Sequence, residues 1–182
     1  VSEVVFPDLS WTYEHCFPKV RVVPLTEDYQ LDVDGIVRAV DDRIETEPGW
    51  LSSGAVALNN PHNATGQAFH DSDVRELLKK LLSRGVLILD DLAYQNVSAS
   101  TTLEGPPTVR QVAESLYREG YITAEQAKRV VTMQSVSKTD CLAGSRLAVV
   151  EIRDETLEEK FTRVNSIVIP NIAAVFLSYL FY

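Results

Sequence analysis

Cysteine is scarce in this chain: Cys16 and Cys141 are the two examples in 182 residues. Two thiols are too few for a disulfide framework, so a reducing compartment, the cytoplasm, is the expectation. Basic side chains are also in the minority, with 17 Lys and Arg against 26 Asp and Glu and a net charge of −9. Nucleic-acid and anionic-membrane surfaces need clustered Lys and Arg, so this balance argues against a general binder of either kind. It leaves open a single anionic ligand held by one or two local cations. No long uncharged apolar run qualifies as a membrane span, and the C-terminal IAAVFLSYLFY, apolar but short, reads as a buried or interfacial helix. His15, His62 and His70 share no metal-ligand spacing, so no zinc site is expected, and His62 reads as a turn residue. A charged start followed by an apolar stretch, the mark of a signal peptide, is missing too. Residue 1 is Val, the sole methionine is Met133, and VSEVVFPDLSW begins as if already inside a strand. The last residues stop in mid-helix. The chain is therefore expected to be a portion of a longer protein.

What is present is an ordinary globular composition, 45% apolar and 24% charged, of a length that suits one domain or the greater part of a larger one. Short apolar runs recur at residues 19–25, 54–60, 85–91, 129–135 and 146–152. They are nearly continuous rather than alternating, as strands covered on both faces tend to be. Helical spacing lies between them. DVDGIVRAVDDRIE places Val33, Ile36, Val37 and Val40 on one side, and HDSDVRELLKKLLSRG opens on Asp and Ser as cap candidates and closes on Gly85. RDETLEEKFTRVNSI has the same style, whereas residues 97–128 read as a loop followed by one or two surface helices with no strand. Alternating helices and buried strands predict an α/β fold, a mostly parallel sheet with helices on both faces.

In such sheets ligands gather beyond the carboxyl ends of the strands. The polar residues closing the apolar runs are Asn63 in PHNATG, then Asp90, Asp91 and Tyr94, then Ser135, Ser137 and Lys138, with Arg146 opening the last run. Singly, each has a plain structural reading: a turn asparagine, a helix-capping carboxylate, a solvated lysine, an ion-paired arginine.

Together they resemble a known pattern. NNPHNATG, LDDLAYQN and SVSKTDCLAGSR are similar, in order and interval, to the three central motifs of the fold-type I pyridoxal-phosphate enzymes, specifically the class I/II aminotransferases. That family runs Asn-Pro-x-Asn-Pro-Thr-Gly, Asp-x-x-Tyr after an apolar strand, then Ser-x-Ser-Lys with Arg eight positions on. FPDLSWTYE aligns with the upstream segment that supplies an aromatic ring over the cofactor, here Trp11.

The resemblance implies a cofactor, pyridoxal 5′-phosphate, and a role for each residue. Lys138 forms the Schiff base and shuttles a proton at the substrate α-carbon, which requires its amine to be neutralised by desolvation and by the nearby Arg146. Asp91 faces the pyridine nitrogen and keeps it protonated. The family spacing selects Asp91 over Asp90, and strand alternation puts Asp90 on the opposite face. Tyr94 and Asn63 donate to the cofactor's phenolic oxygen, Ser135 and Arg146 bind its phosphate, Ser137 is either a contact or local structure, and Gly144 eases a tight turn toward the phosphate. Trp11 stacks on the ring. The implied reaction moves an amino group from an amino acid to a 2-oxo acid, in a homodimer when the protein is whole.

Two departures stand out. Ala64 replaces the family's second proline, which costs turn rigidity but no functional group, and forty residues separate Tyr94 from Ser135, more than the simplest members have. The family's upstream phosphate loop and the C-terminal small domain that receives the substrate carboxylate are absent. Residues 1–182 are thus expected to be the central part of the large domain, carrying the catalytic lysine but poorly active alone. Other members of the scaffold, a β-lyase, a decarboxylase or an α-oxoamine synthase, share these residues, and a non-catalytic relative could retain them.

Overall fold

All five apolar runs become strands, and a sixth precedes them. The computed structural model describes residues 1–95, 97, 105–139, 141, 143–145 and 148–165. The strands are β1 (Glu3–Pro7), β2 (Lys19–Val23), β3 (Gly54–Asn59), β4 (Leu87–Asp91), β5 (Val130–Ser135) and β6 (Ala148–Glu151). They form one sheet in the order β2-β1-β3-β4-β5-β6. All neighbours run parallel except β6, which pairs antiparallel with β5. The expected architecture is therefore the observed one.

Alternation along the strands sorts the core into two layers. Val5, Val56, Leu58, Ile88 and Val130 point to one face and meet helices α1 (Val33–Thr46), α3 (Asp71–Ser83) and α4 (Val109–Arg118). Val4, Phe6, Ala55, Ala57, Leu87, Leu89 and Val131 point to the other, where Tyr13 is buried and Leu157 of α7 (Glu155–Asn165) packs alongside. Leu77, Leu78, Leu81 and Leu82 of α3 are all fully buried. Burial of each such side chain contributes about 1.5–3 kcal/mol.

Local chemistry explains where the helices stop and start. The Asp32 side chain accepts the Gly35 amide at 2.8 Å and caps α1. At α3 the expected Asp–Ser cap is not used: His70 occupies the cap position without a side-chain bond, and Asp71 and Asp73 sit inside the first turn, where their charge suits the helix dipole. The far end is as anticipated, with Gly85 at φ +76° just past the helix. Region 97–128 differs from expectation. It has no strand among its described residues, but α4 is a core helix rather than a surface one. Val109, Val112, Ala113 and Leu116 recur at helical spacing and are buried, behind a capping box made by Thr108 and Gln111. Among the described residues, the short helices α2 (Trp50–Ser53), α5 (Ala124–Ala127) and α6 (Val136–Thr139) complete the set. No helix among the described residues is long and apolar enough to cross a membrane. The helix expected at IAAVFLSYLFY lies outside the described residues.

At the amino edge of the sheet, Glu3 accepts from Trp50 Nε1 at 2.8 Å and from Arg43 Nε at 2.9 Å, which ties β1 to α1 and α2. The carboxyl edge is built differently. The chain leaves β1 toward β2, then crosses back over β1 to β3 and continues through β4 and β5. The order of travel reverses between β1 and β3: the connection after β1 leads to β2 on one side and the connection after β3 to β4 on the other. That is the position at which open α/β sheets form a ligand crevice.

Candidate active site

Asp91 ends β4, in the middle of that edge. Its neighbour Asp90 shows what one residue of alternation does. Asp90 is fully buried on the α4 face, where Oδ2 accepts from the Thr132 hydroxyl at 3.2 Å and Thr132 accepts in turn from Arg110 Nε at 3.1 Å. Burial pushes the Asp90 carboxyl up to about 7, against the opposing pull of Thr132 and Arg110. Arg110 also donates to the carbonyls of Val130 and Glu151 and pairs with the Glu151 carboxylate at 3.2 Å. This is a structural network that joins β4, β5, β6 and α4.

Asp91 lies on the other face. Its Oδ2 accepts from the Tyr13 hydroxyl at 2.7 Å and its Oδ1 from the Ala93 amide at 3.1 Å. Burial raises the carboxyl above its ordinary range, and these two donors hold it back. Burial together with the facing carboxylate also raises the Tyr13 phenol, so it stays a donor across the working pH range. The Tyr13 ring meets Phe6 edge-on at 5.1 Å and Trp11 edge-on at 6.3 Å. Trp11 itself is 53% exposed, leaving ring surface free beside Tyr13.

The end of β3 is joined to the end of β4 through one side chain. Asn59 Nδ2 donates to the Asp91 carbonyl at 2.9 Å, and Asn59 Oδ1 accepts the Asn63 amide at 2.9 Å. The turn that follows is held from inside. His62, expected as a plain turn residue, is 1% exposed and bridges two loops, with Nε2 at 3.1 Å from Ser10 Oγ and Nδ1 at 3.0 Å from Thr65 Oγ1. Ser10 spends its proton on the Pro7 carbonyl at 2.7 Å, so Nε2 is the donor to Ser10 and Nδ1 accepts from Thr65. Burial lowers the His62 pKa and keeps the ring neutral. The loops after β1 and β3, the two arms of the crevice, are thus bolted together.

Asn63 and Tyr94 are half-buried, and among the described residues no hydrogen bond engages either the Asn63 side-chain amide or the Tyr94 phenol. Next along the edge, the Leu92 amide donates to the Met133 carbonyl at 2.9 Å and keeps the ends of β4 and β5 level. Ser135 closes β5; its Oγ accepts the Ser137 amide at 3.2 Å, and its carbonyl accepts from Thr139 Oγ1 at 3.1 Å. These bonds wind the one-turn helix α6, on which Lys138 is exposed with no hydrogen bond or ion pair to another described residue. Ser137 engages Ser135 through its backbone amide, and its side chain is half-buried beside the turn. Gly144 lies in the 3-10 turn Ala143–Ser145, with no described atom within 4 Å of where a Cβ would stand. Arg146 lies outside the described residues.

The structure brings Trp11, Asn63 and Asp91 into one bonded frame through Tyr13, Asn59 and His62. It places Tyr94, Ser135 and Lys138 on the same and the adjacent strand ends, without a bond from Lys138 to Asp91. Tyr13, Asn59 and His62 are the site residues that sequence reasoning passed over. All three stood inside quoted segments, Tyr13 two residues after Trp11 in FPDLSWTYE and Asn59 and His62 in NNPHNATG, but none was given a role at the site.

The family model for aminotransferases of class I and II matches residues 1–177. The chain belongs to this family. Curated relatives of this class I/II chain include a histidinol-phosphate aminotransferase of Rubrobacter xylanophilus, 30% identical over 172 residues, covering 88% of the chain and 41% of that protein. An aromatic amino acid aminotransferase of Cutibacterium acnes is 26% identical over 151 residues, covering 80% of the chain and 36% of that protein. Among solved structures, a PLP-bound C-S lyase from Staphylococcus hominis superposes with a TM-score of 0.71 at 17% identity, covering 96% of the chain and 41% of that protein. An aminotransferase from Helicobacter pylori gives 0.67 at 19% identity, covering 95% and 42%. The chain thus spans roughly two-fifths of the length of the proteins it matches.

Proposed function

We propose that this segment carries the cofactor centre of a pyridoxal-phosphate-dependent aminotransferase that moves an amino group from an amino acid to a 2-oxo acid. The supporting observation is Asp91: a carboxylate desolvated at the crevice, fixed by one donor on each oxygen, with a lone pair on each still unused. The surroundings fit the cofactor. Beside Asp91 stand an exposed aromatic ring on Trp11 and the uncommitted polar groups of Asn63 and Tyr94, with Ser135 and Lys138 on the next strand end.

When bound, pyridoxal phosphate supplies an electron sink for bonds at the substrate α-carbon. Asp91 would hold a proton at the ring nitrogen, where a buried carboxylate makes a charge-assisted bond. Trp11 would offer its ring surface to the cofactor ring. The Asn63 amide and the Tyr94 hydroxyl would donate to the phenolic oxygen, and Ser135 and Arg146 would hold the phosphate. Lys138 Nζ would anchor the group covalently and serve as the base that moves a proton at the substrate α-carbon. We further propose that residues 1–182 are the central part of a large domain, acting in the cytoplasm as a homodimer, with the substrate carboxylate received by flanking sequence. That the chain covers 36% and 41% of two curated relatives supports its being one part of such a protein.

The test uses the intact protein, purified in the presence of pyridoxal phosphate. It should be yellow, bleach with borohydride and retain the cofactor on the Lys138 peptide by mass spectrometry, and Lys138→Ala should lose both colour and activity. Incubation with amino acids should yield the amine form of the cofactor; pyruvate with ammonia, or carbon dioxide, would instead indicate a lyase or decarboxylase. A colourless wild-type protein with no modified Lys138 would end the proposal.

A further inference from the structure

Tyr13 lies 78 residues from Asp91 in sequence, yet its hydroxyl is the sole side-chain donor to that carboxylate among the described residues. Three observations set the contact apart from incidental packing. First, the phenol is held rather than loosely placed. Tyr13 is 6% exposed, sits in the core layer with Phe6, Ala57 and Leu89, and belongs to a 3-10 turn whose backbone bonds fix it from both sides. A hydroxyl so fixed selects one rotamer of its acceptor. Second, the two donors divide the carboxylate between them, Tyr13 on Oδ2 and the Ala93 amide on Oδ1, so the carboxylate plane is determined while its outer lone pairs stay available. Third, the Tyr13 ring stands edge-on to Trp11 at 6.3 Å. One residue therefore orients both the carboxylate at the crevice and the aromatic ring beside it.

We propose that Tyr13 is the positioning residue of this centre: its hydroxyl aims and partly neutralises the Asp91 carboxylate, so that the ring nitrogen of the cofactor meets a preset acceptor. The inference rests on the reading that Asp91 receives that nitrogen. In this role Tyr13 acts through Asp91 and not on the cofactor or substrate directly. A charge-assisted bond of this kind in a desolvated site is among the stronger hydrogen bonds a protein makes, and its loss leaves a buried acceptor short of a partner.

The experiment compares the intact protein with Tyr13→Phe and Tyr13→Leu, each reconstituted with pyridoxal phosphate labelled with 15N in the ring. Phenylalanine keeps the packing against Phe6 and removes the hydroxyl alone; leucine removes the ring as well. In Tyr13→Phe the ring-nitrogen resonance should move, cofactor dissociation should rise on the order of tenfold, and kcat should fall with KM little changed, while borohydride still reduces the cofactor onto Lys138. A purely structural role predicts the opposite division, with Tyr13→Phe silent and Tyr13→Leu impaired, and that result overturns the assignment. If the wild-type protein takes up no cofactor, the reading of the centre fails and this inference with it. If wild type is loaded and Tyr13→Phe matches it in resonance, affinity and kcat, the role of Tyr13 alone is refuted.

Discussion

Two adjacent carboxylates illustrate how much one residue of strand alternation decides. Asp90 and Asp91 share the end of β4, yet Asp90 enters a closed network under α4 and Asp91 faces the crevice. Because burial raises Asp90 from 3.8 to about 7, the folded state binds its proton more tightly than the unfolded chain does between those values. The unfolded state then carries fewer protons, and stability falls as pH rises through that interval, by at most about 1.4 kcal/mol per pH unit. Denaturant unfolding from pH 4.5 to 8 should show this decline in wild type and a flatter profile in Asp90→Asn; superimposable profiles would disprove it. That Asp90 and Asp91 face opposite sides of the sheet was legible from the period of a strand, and the resemblance to the family singled out Asp91. The role of Tyr13 was not, since nothing in a linear sequence reports that a phenol 78 positions upstream lands 2.7 Å from a carboxylate. His62 was hidden for a related reason: a histidine between Pro and Asn carries the signature of a turn, and burial under two loops appears only once the loops meet.

At the scale of elements, helices were legible wherever the apolar period was clean. α3 stopped as expected just before Gly85, and its four leucines Leu77, Leu78, Leu81 and Leu82 are fully buried. Leu78→Ala should cost about 2–5 kcal/mol, measured by chemical denaturation, because the cavity would be walled by α3 and the sheet and could collapse only partly. α4 was misjudged as a surface helix despite its spacing of Val109, Val112, Ala113 and Leu116. Arg110 compounds the error, for a guanidinium looks like surface until it is seen satisfied by Val130, Thr132 and Glu151. The α3 cap failed as an expectation because Asp71 and Ser72 both lie inside the first turn, where Asp71 contributes its charge and not a capping bond.

For the molecule as a whole, strand order carries the argument from fold to site. The reversal between β1 and β3 could not be read from the chain, because parallel strands of similar composition do not announce their neighbours. Once the order is known, the three motifs fall on consecutive strand ends along one edge. The proposal that flanking sequence completes the centre leads to a direct expectation. Residues 1–182 expressed alone should show transamination at least a hundredfold below the intact protein under the same assay, since substrate positioning supplies a large part of such rates. Comparable turnover from the segment would show that the machinery is already complete within it.

The link between β1 and β2 contains no α-helix and is pinned at Tyr13 in the core, with its preceding arm latched by His62. Trp11 therefore rides on a rigid shelf, not a flap. Any gate that opens to admit or discharge small molecules has to swing from another rim of the crevice.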